Sequence, residues 1–121
     1  KALIRQGNND FKKGDYSEAE VKYNKSLDIE YNPKAQFNLG DALYEQGNYE
    51  AAEKNFSELT KRKTSKNIES NAYYNLGNTL MAQEKYAEAF EAYKNSLKAN
   101  PNDDDARYNL EYARWKMCGH R

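Results

Sequence analysis

Few side chains in this 121-residue chain belong to the types that catalyse reactions or bind metals. The only cysteine, Cys118, and the only histidine, His120, can ligate a metal, but no second pair of ligands stands at zinc spacing, which favours a frayed tail. The triplet Asp103-Asp104-Asp105 suggests either calcium or a helix start. Because the glycine and distal glutamate of an EF-hand are missing, we interpret it as a helix N-cap. We therefore expect no enzyme, no metal and no cofactor.

The polar residues with a regular spacing are asparagines. The triplets Asn38-Leu39-Gly40 and Asn75-Leu76-Gly77 match each other, and Asn109-Leu110-Glu111 repeats them with the glycine replaced. A side-chain amide both donates and accepts hydrogen bonds, so a row of amides suits the backbone of an extended peptide. Such amides serve the recognition of a partner and not catalysis. They require secondary-structure elements that place the asparagines on one face of the protein.

A second repeated sequence segment indicates which elements these are. Residues 14–27, 47–59 and 84–97 read GDYSEAEVKYNKSL, GNYEAAEKNFSEL and EKYAEAFEAYKNSL. Their first tyrosines, Tyr16, Tyr49 and Tyr86, are 33 and 37 residues apart. A period of this length indicates stacked helical units, which bind partners far more often than they catalyse.

Helical spacing of apolar residues predicts helices over residues 2–13, 16–29, 33–46, 49–62, 68–83, 86–99 and 103–117. Alanine recurs at Ala19, Ala52 and Ala89, where helices must approach closely, and Gly40 and Gly77 predict the same on the preceding helices. Gly14 and Gly47 suit a left-handed turn residue. Glu84 takes that position in the third unit, so its turn is expected to be strained or differently shaped.

Composition excludes several classes of partner. Nineteen basic and nineteen acidic residues cancel, which removes the electrostatic argument for nucleic acid or an anionic membrane surface. No apolar run reaches the roughly 18 residues of a membrane span. The chain opens at Lys1 inside a helical pattern without a methionine, so we expect a processed or trimmed piece of a longer protein.

Two departures from the repeat leave alternatives open. The linker over residues 60–70 is longer than usual and carries Lys61, Arg62, Lys63 and Lys66. We favour a lengthened helix with cations at its negative end over a basic binding patch. Glu111, in the position of the helix-contact glycines, favours a capping helix over half of a fourth unit.

These residues resemble the tetratricopeptide repeat family: Leu, Gly and a bulky residue on the first helix, then Gly-x-Tyr, Ala and an aromatic on the second. The resemblance implies an all-α, right-handed superhelix of antiparallel helix pairs. It covers a single domain over residues 1–121, with repeats at about 1–32, 33–69 and 70–101 and a capping helix at 102–117.

In that family the first helices line a concave face that binds peptides, and the repeat register assigns side chains to it. The candidate peptide-binding residues are Asn8, Lys34, Phe37, Asn38, Asp41, Tyr44, Asn71, Tyr74, Asn75, Asn78, Tyr108, Asn109 and Tyr112. The alternative is that the aromatics pack between units and the asparagines only solvate the face. Lys1, Arg5, Lys12 and Lys34 suggest a ligand with acidic residues at one end.

The chaperone-binding branch of the family holds a C-terminal carboxylate with Lys, Asn, Asn, Lys and Arg. Asn8 and Asn38 match the two asparagines, whereas Ile4, Asn71 and Asn75 occupy the three cationic positions. The missing charges argue against chaperone tails held in this way.

Residues 100–117, NPNDDDARYNLEYARWKM, resemble the end of the repeat domain in tetratricopeptide proteins of bacterial aerotolerance operons. That resemblance implies an envelope-associated scaffold, a periplasmic location and von Willebrand A-domain partners; otherwise a cytoplasmic location is expected. We predict a non-catalytic scaffold for a protein or extended peptide, with homo-oligomerisation through the end faces as the alternative.

Overall fold

The computed structural model describes residues 1–120, and Arg121, the last residue of the predicted domain, lies outside them. The described chain contains helices and no strands, which confirms the all-α prediction. In chain order the helices are α1 (Ala2–Lys12), α2 (Tyr16–Ile29), α3 (Pro33–Glu45), α4 (Tyr49–Thr60), α5 (Lys66–Ala82), α6 (Tyr86–Ala99) and α7 (Asp104–Met117).

The helices stack in sequence order. Each helix packs against the next one along the chain, and in addition α1 contacts α3 and α3 contacts α5. The first helices of successive pairs therefore lie side by side and share one face. This is the arrangement that the repeat predicted.

Each pair is held by an aromatic ring lying on a glycine. Tyr23, Phe56 and Tyr93 are at most 2% exposed. A Cβ atom added to Gly40 would lie 2.5 Å from the Phe56 ring, and one added to Gly77 would lie 2.4 Å from the Tyr93 ring. The predicted close approach at these glycines is confirmed, because no larger residue fits without moving the rings.

The turns between paired helices have one shape. Gly14, Gly47 and Glu84 have φ angles of 83°, 78° and 61°. In the third turn the Glu84 N–H donates to Met81 O and the Lys85 N–H to Leu80 O, as the corresponding amides do in the other two turns. Glu84 therefore keeps the glycine conformation, which is strained for a residue with a Cβ.

The long linker corrects one prediction. Helix α4 ends at Thr60, two residues earlier than expected, so it is not lengthened. The Ser65 hydroxyl accepts a hydrogen bond from the Ile68 N–H at 3.2 Å, and this N-cap starts α5 at Lys66. The extra residues thus form a loop and the first turn of the 17-residue α5.

The C-terminal end differs from the expected frayed tail. The Asp103 side chain accepts from the Ala106 N–H at 3.1 Å, which confirms the N-cap interpretation of the acidic triplet. The His120 ring stacks on Trp115 with centroids 4.9 Å apart, so the prediction of a frayed tail is wrong as far as His120. Glu111 is exposed and pairs with Arg114. The role of α7 as a cap stays a prediction.

Candidate functional site

Three adjoining cavities run across the first helices and α7. Their volumes are about 320, 340 and 450 Å³. The first and second share Phe11 and Asp41, and the second and third share Tyr44 and Asn78. We call the surface that these cavities form the central groove. The predicted site residues that line it are Asn8, Asn38, Asp41, Tyr44, Asn75, Asn78, Asn109 and Tyr112.

Five predicted residues line none of the three cavities: Lys34, Phe37, Asn71, Tyr74 and Tyr108. Phe37 packs edge-on against Phe56 at 5.8 Å between centroids, and Tyr74 lies tilted against Tyr93 at 5.9 Å. Both rings pack on the second helix of their own repeat and not between units, and the Tyr74 hydroxyl also accepts a hydrogen bond from Asn109 Nδ2 at 3.0 Å. Tyr108 is 73% exposed on α7.

The groove asparagines form hydrogen bonds from one repeat to the next. On α3, α5 and α7 an asparagine side-chain N–H donates to the preceding first helix, which is α1, α3 and α5 respectively. The acceptor there is the side chain of the residue that follows the glycine position. The bonds are Asn38 Nδ2 to Asn8 Oδ1 at 3.1 Å, Asn75 Nδ2 to Asp41 Oδ1 at 2.7 Å and Asn109 Nδ2 to Asn78 Oδ1 at 3.3 Å. This ladder joins α1, α3, α5 and α7 across the floor of the groove.

The ladder uses only part of the amide capacity. Within the described chain, the NH₂ groups of Asn8 and Asn78 have no acceptor, and the carbonyl oxygens of Asn38, Asn75 and Asn109 have no donor. The groove therefore presents both donors and acceptors at repeat intervals, which matches the needs of a peptide backbone.

Two tyrosine hydroxyls donate to acceptors of the ladder, although the sequence assigned these residues to the core. Tyr23 donates to Asn8 Oδ1 and Tyr93 to Asn78 Oδ1, each at 2.6 Å. Phe56 takes the equivalent position opposite Asp41 and has no hydroxyl to donate. The sequence contains a signal for these bonds. The units with an asparagine acceptor, Asn8 and Asn78, have tyrosine at the ring position, whereas the unit with Asp41 has phenylalanine there.

Asp41 is the charged group on the groove floor. Burial raises the pKa of Asp41 to about 7, the hydrogen bond from Asn75 opposes this rise, and the nearby Glu45 carboxylate adds to it. Burial also raises the pKa of Tyr23 to about 12. The tyrosine therefore stays a hydrogen-bond donor at neutral pH, whereas the carboxyl of Asp41 titrates there.

The expected cations lie mostly at the rim. Lys1, Arg5 and Lys34 are exposed and line none of the three cavities, whereas Lys12 lines the first. Lys116, which the sequence did not single out as a cation of the groove, lines the third. Among residues 1–120 no group of three His, Cys, Asp or Glu side chains is placed to hold a metal. No helix over the same residues has the length and apolar character of a membrane span.

Two sequence profiles described as tetratricopeptide repeat match the chain, one over residues 4–67 and one over residues 70–103. No curated protein matches it by sequence. The first TPR of Spaghetti (RPAP3) bound to the HSP90 peptide SRMEEVD is a similar solved structure, with 28% identity and a TM-score of 0.90 over 98% of this chain and 92% of that one.

Two further structures agree. The first TPR domain of human RPAP3 is 28% identical with a TM-score of 0.87, over 96% of this chain and 90% of its own. The Sgt2 TPR domain from Aspergillus fumigatus is 27% identical with a TM-score of 0.86, over 96% and 77%. The profile over residues 4–67 covers more than half of the sequence. The chain therefore belongs to the tetratricopeptide repeat family.

Proposed function

We propose that this chain is a non-catalytic interaction module that binds an extended peptide, or an extended segment of a protein, in the central groove. The observation that carries the proposal is the set of unpaired amide donors and acceptors along three adjoining cavities. The similarity to the Spaghetti domain, whose structure contains an HSP90 peptide, supports the same function. The proposed site residues are those that line the groove.

The ligand class differs from chaperone tails in this proposal. SRMEEVD ends in acidic groups, whereas this chain has Ile4, Asn71 and Asn75 at the cationic positions of the clamp. Asn75 is already bonded to a carboxylate, and Asn71 is exposed. We therefore expect weak or no binding of SRMEEVD.

Acidic residues at one end of the ligand remain part of the proposal. Lys1, Arg5, Lys12 and Lys34 are exposed, and Lys12 lines the first cavity of the groove. Such contacts weaken as salt is added, because exposed charges are screened. Charge reversal at Arg5 and Lys34 that leaves affinity unchanged would contradict this part.

The test of peptide binding is a selection from a displayed random heptapeptide library on the whole chain. The selected peptides are then measured on a variant with Asn38→Ala and Asn75→Ala. We expect affinity to fall at least about tenfold, since each change removes a groove amide. The matched control replaces Asn24 and Asn102, which are exposed and line none of the three cavities. Equal loss in the control, or no selected peptide at all, would contradict the proposal.

Self-association is a second candidate, favoured by the exposed aromatic face of α7. Tyr108, Tyr112 and Trp115 are 73%, 44% and 43% exposed. Light scattering distinguishes the candidates: a mass that rises with concentration and falls back after Tyr108→Ser and Trp115→Ser supports self-association. A constant monomer mass contradicts it.

The envelope setting is a narrower proposal that rests on α7. The matched profiles end at residue 103, so the resemblance to aerotolerance proteins depends on residues such as Asp104, Arg107 and Asn109. It implies a periplasmic scaffold for a membrane-anchored partner. Genes for von Willebrand A-domain proteins beside this one would support it, and their absence would contradict it.

A further inference from the structure

Asp41 stands at the middle of the central groove with an unusual set of neighbours. It lines both the 320 Å³ and the 340 Å³ cavity. Its Oδ1 accepts a hydrogen bond from Asn75 at 2.7 Å. Within residues 1–120 no other side chain donates to it, and no cation lies within ion-pair distance.

The neighbouring units show what the middle unit lacks. Asn8 and Asn78 occupy the position of Asp41, and each receives a tyrosine hydroxyl in addition to an amide. At Asp41 the hydroxyl is absent because the residue beneath it is Phe56. The middle of the groove therefore exposes a carboxylate oxygen where the two flanking units present amide donors.

The cavities around this carboxylate are lined by aromatic rings together with polar side chains, among them Lys12 in the first and Glu45 in the second. Phe11 lines the cavity beside Asp41 and Tyr44 lies one turn further along α3, whereas Phe56 beneath Asp41 is fully buried. Such rings suit the methylene stem of a long side chain and attract a cation placed over their faces. A carboxylate with one hydrogen bond beside half-buried aromatic rings is matched by a side chain with a cationic tip.

We propose that Asp41 binds the side-chain cation of a lysine or arginine in the peptide, whose stem lies against Phe11 and Tyr44. The inference rests on the proposed peptide-binding function and adds the charge that the groove selects. It is opposite in sign to the carboxylate clamp of the chaperone-binding branch. A ligand that also has acidic residues would place them at the basic rim near α1.

The recognition should depend on pH, because burial raises the pKa of Asp41 to about 7 and only its ionised form pairs with a cation. The titratable or charged groups around it are Glu45 and Tyr44 on α3, Lys12 on α1 and Tyr23 on α2. Helices α4 and α5 contribute Phe56, Asn75 and Asn78, none of which titrates. Burial thus brings the pKa of Asp41 into the range between pH 5.5 and 8.

The experiment is a pair of parallel selections from the same random heptapeptide library, one on the whole wild-type chain and one on Asp41→Asn. Asparagine already stands at this position in the flanking units, so the variant keeps the acceptor for Asn75. We expect the wild-type selection to enrich lysine or arginine at one aligned position, and the variant to retain peptides without that enrichment. Asp28→Asn, which removes an exposed carboxylate of α2, should leave the enrichment unchanged.

A second measurement does not depend on any protein variant. The best wild-type peptide is compared with the same peptide carrying norleucine in place of its enriched basic residue, by calorimetry at pH 8 and pH 5.5. We expect about tenfold weaker binding of the norleucine peptide at pH 8 and a much smaller difference at pH 5.5. Peptides retained without basic enrichment, or equal enrichment on Asp41→Asn, overturn the inference alone. Retention of no peptide by either protein overturns the proposed function as well.

Discussion

Asn75 on α5 donates its side-chain N–H to Asp41 Oδ1 on α3 over 2.7 Å, and this bond joins the second and third repeats across the groove floor. It is the middle member of a ladder in which the corresponding acceptors on α1 and α5 are the amides of Asn8 and Asn78. Asp41 is the one carboxylate in that row, so it places a titratable acidic group where the flanking units have neutral amides.

Phe56→Tyr should lower the pKa of Asp41. The new hydroxyl would stand where Tyr23 and Tyr93 donate to the neighbouring acceptors at 2.6 Å. A hydrogen bond to the carboxylate favours its ionised form, so the pKa should fall from about 7. An NMR titration of the carboxyl carbon measures it. Tyr93→Phe, at the third unit, is the control and should leave the Asp41 titration in place.

Asp41→Asn should stabilise the fold at pH 8 and have little effect at pH 4. The pKa of Asp41 is 3.8 in its ordinary state and about 7 in the fold, so the folded chain binds the extra proton between these values. Stability from the protonated group is therefore lost as pH rises through 4 to 7, and the variant avoids that loss. We expect a gain of about 2 kcal/mol in unfolding free energy at pH 8.

Urea unfolding at both pH values gives the comparison, with Asp28→Asn as a surface control. A gain that is the same at pH 4 and pH 8 would show that desolvation of the charge is not its source.

Gly77→Ala should destabilise the chain. Helix propensity alone favours alanine by about 1 kcal/mol, whereas the new Cβ would meet the Tyr93 ring at 2.4 Å. Overpacking of this kind costs about 1–3 kcal/mol, so the sign of the measured change in stability shows which of the two effects is larger. Thermal unfolding measures it, and a rise in melting temperature would contradict the account of close packing.

Glu84→Gly should stabilise the third turn. Glu84 has a φ of 61°, the left-handed conformation that glycine adopts without steric cost in the other two turns. We expect about 1 kcal/mol of added stability in chemical denaturation. Lys13→Gly is the matched control, because Lys13 has a φ of −81° and glycine offers no relief there. Similar gains in both variants would show that turn strain is not responsible.

Much of the fold follows from local patterns that the sequence displays. The repeated Tyr, Ala and aromatic positions predict the helices and their small contact residues, because burial in a stacked array imposes the same demands on every unit. The start of α5 was misplaced by two residues, since Ser65 in a linker of polar residues gives no stronger cap signal than its neighbours.

The site was less predictable than the fold. The register identified the amides but not their partners, because the bond from Asn75 to Asp41 joins residues 34 positions apart in separate repeats. Phe37 and Tyr74 seemed suited to a ligand, yet their rings pack on Phe56 and Tyr93, a choice that depends on side-chain direction. The pKa of Asp41 depends on burial, which only the assembled helices determine.

The central claim is that a peptide lies along the groove and contacts its amides. The most direct measurement is NMR mapping of the isotope-labelled chain as a selected heptapeptide is added. The account predicts that the side-chain amide signals of Asn8, Asn38, Asn75 and Asn78 shift together, with those of the exposed Asn24 and Asn102 unchanged. Shifts confined to the exposed face of α7, or to α2 and α4, would contradict it.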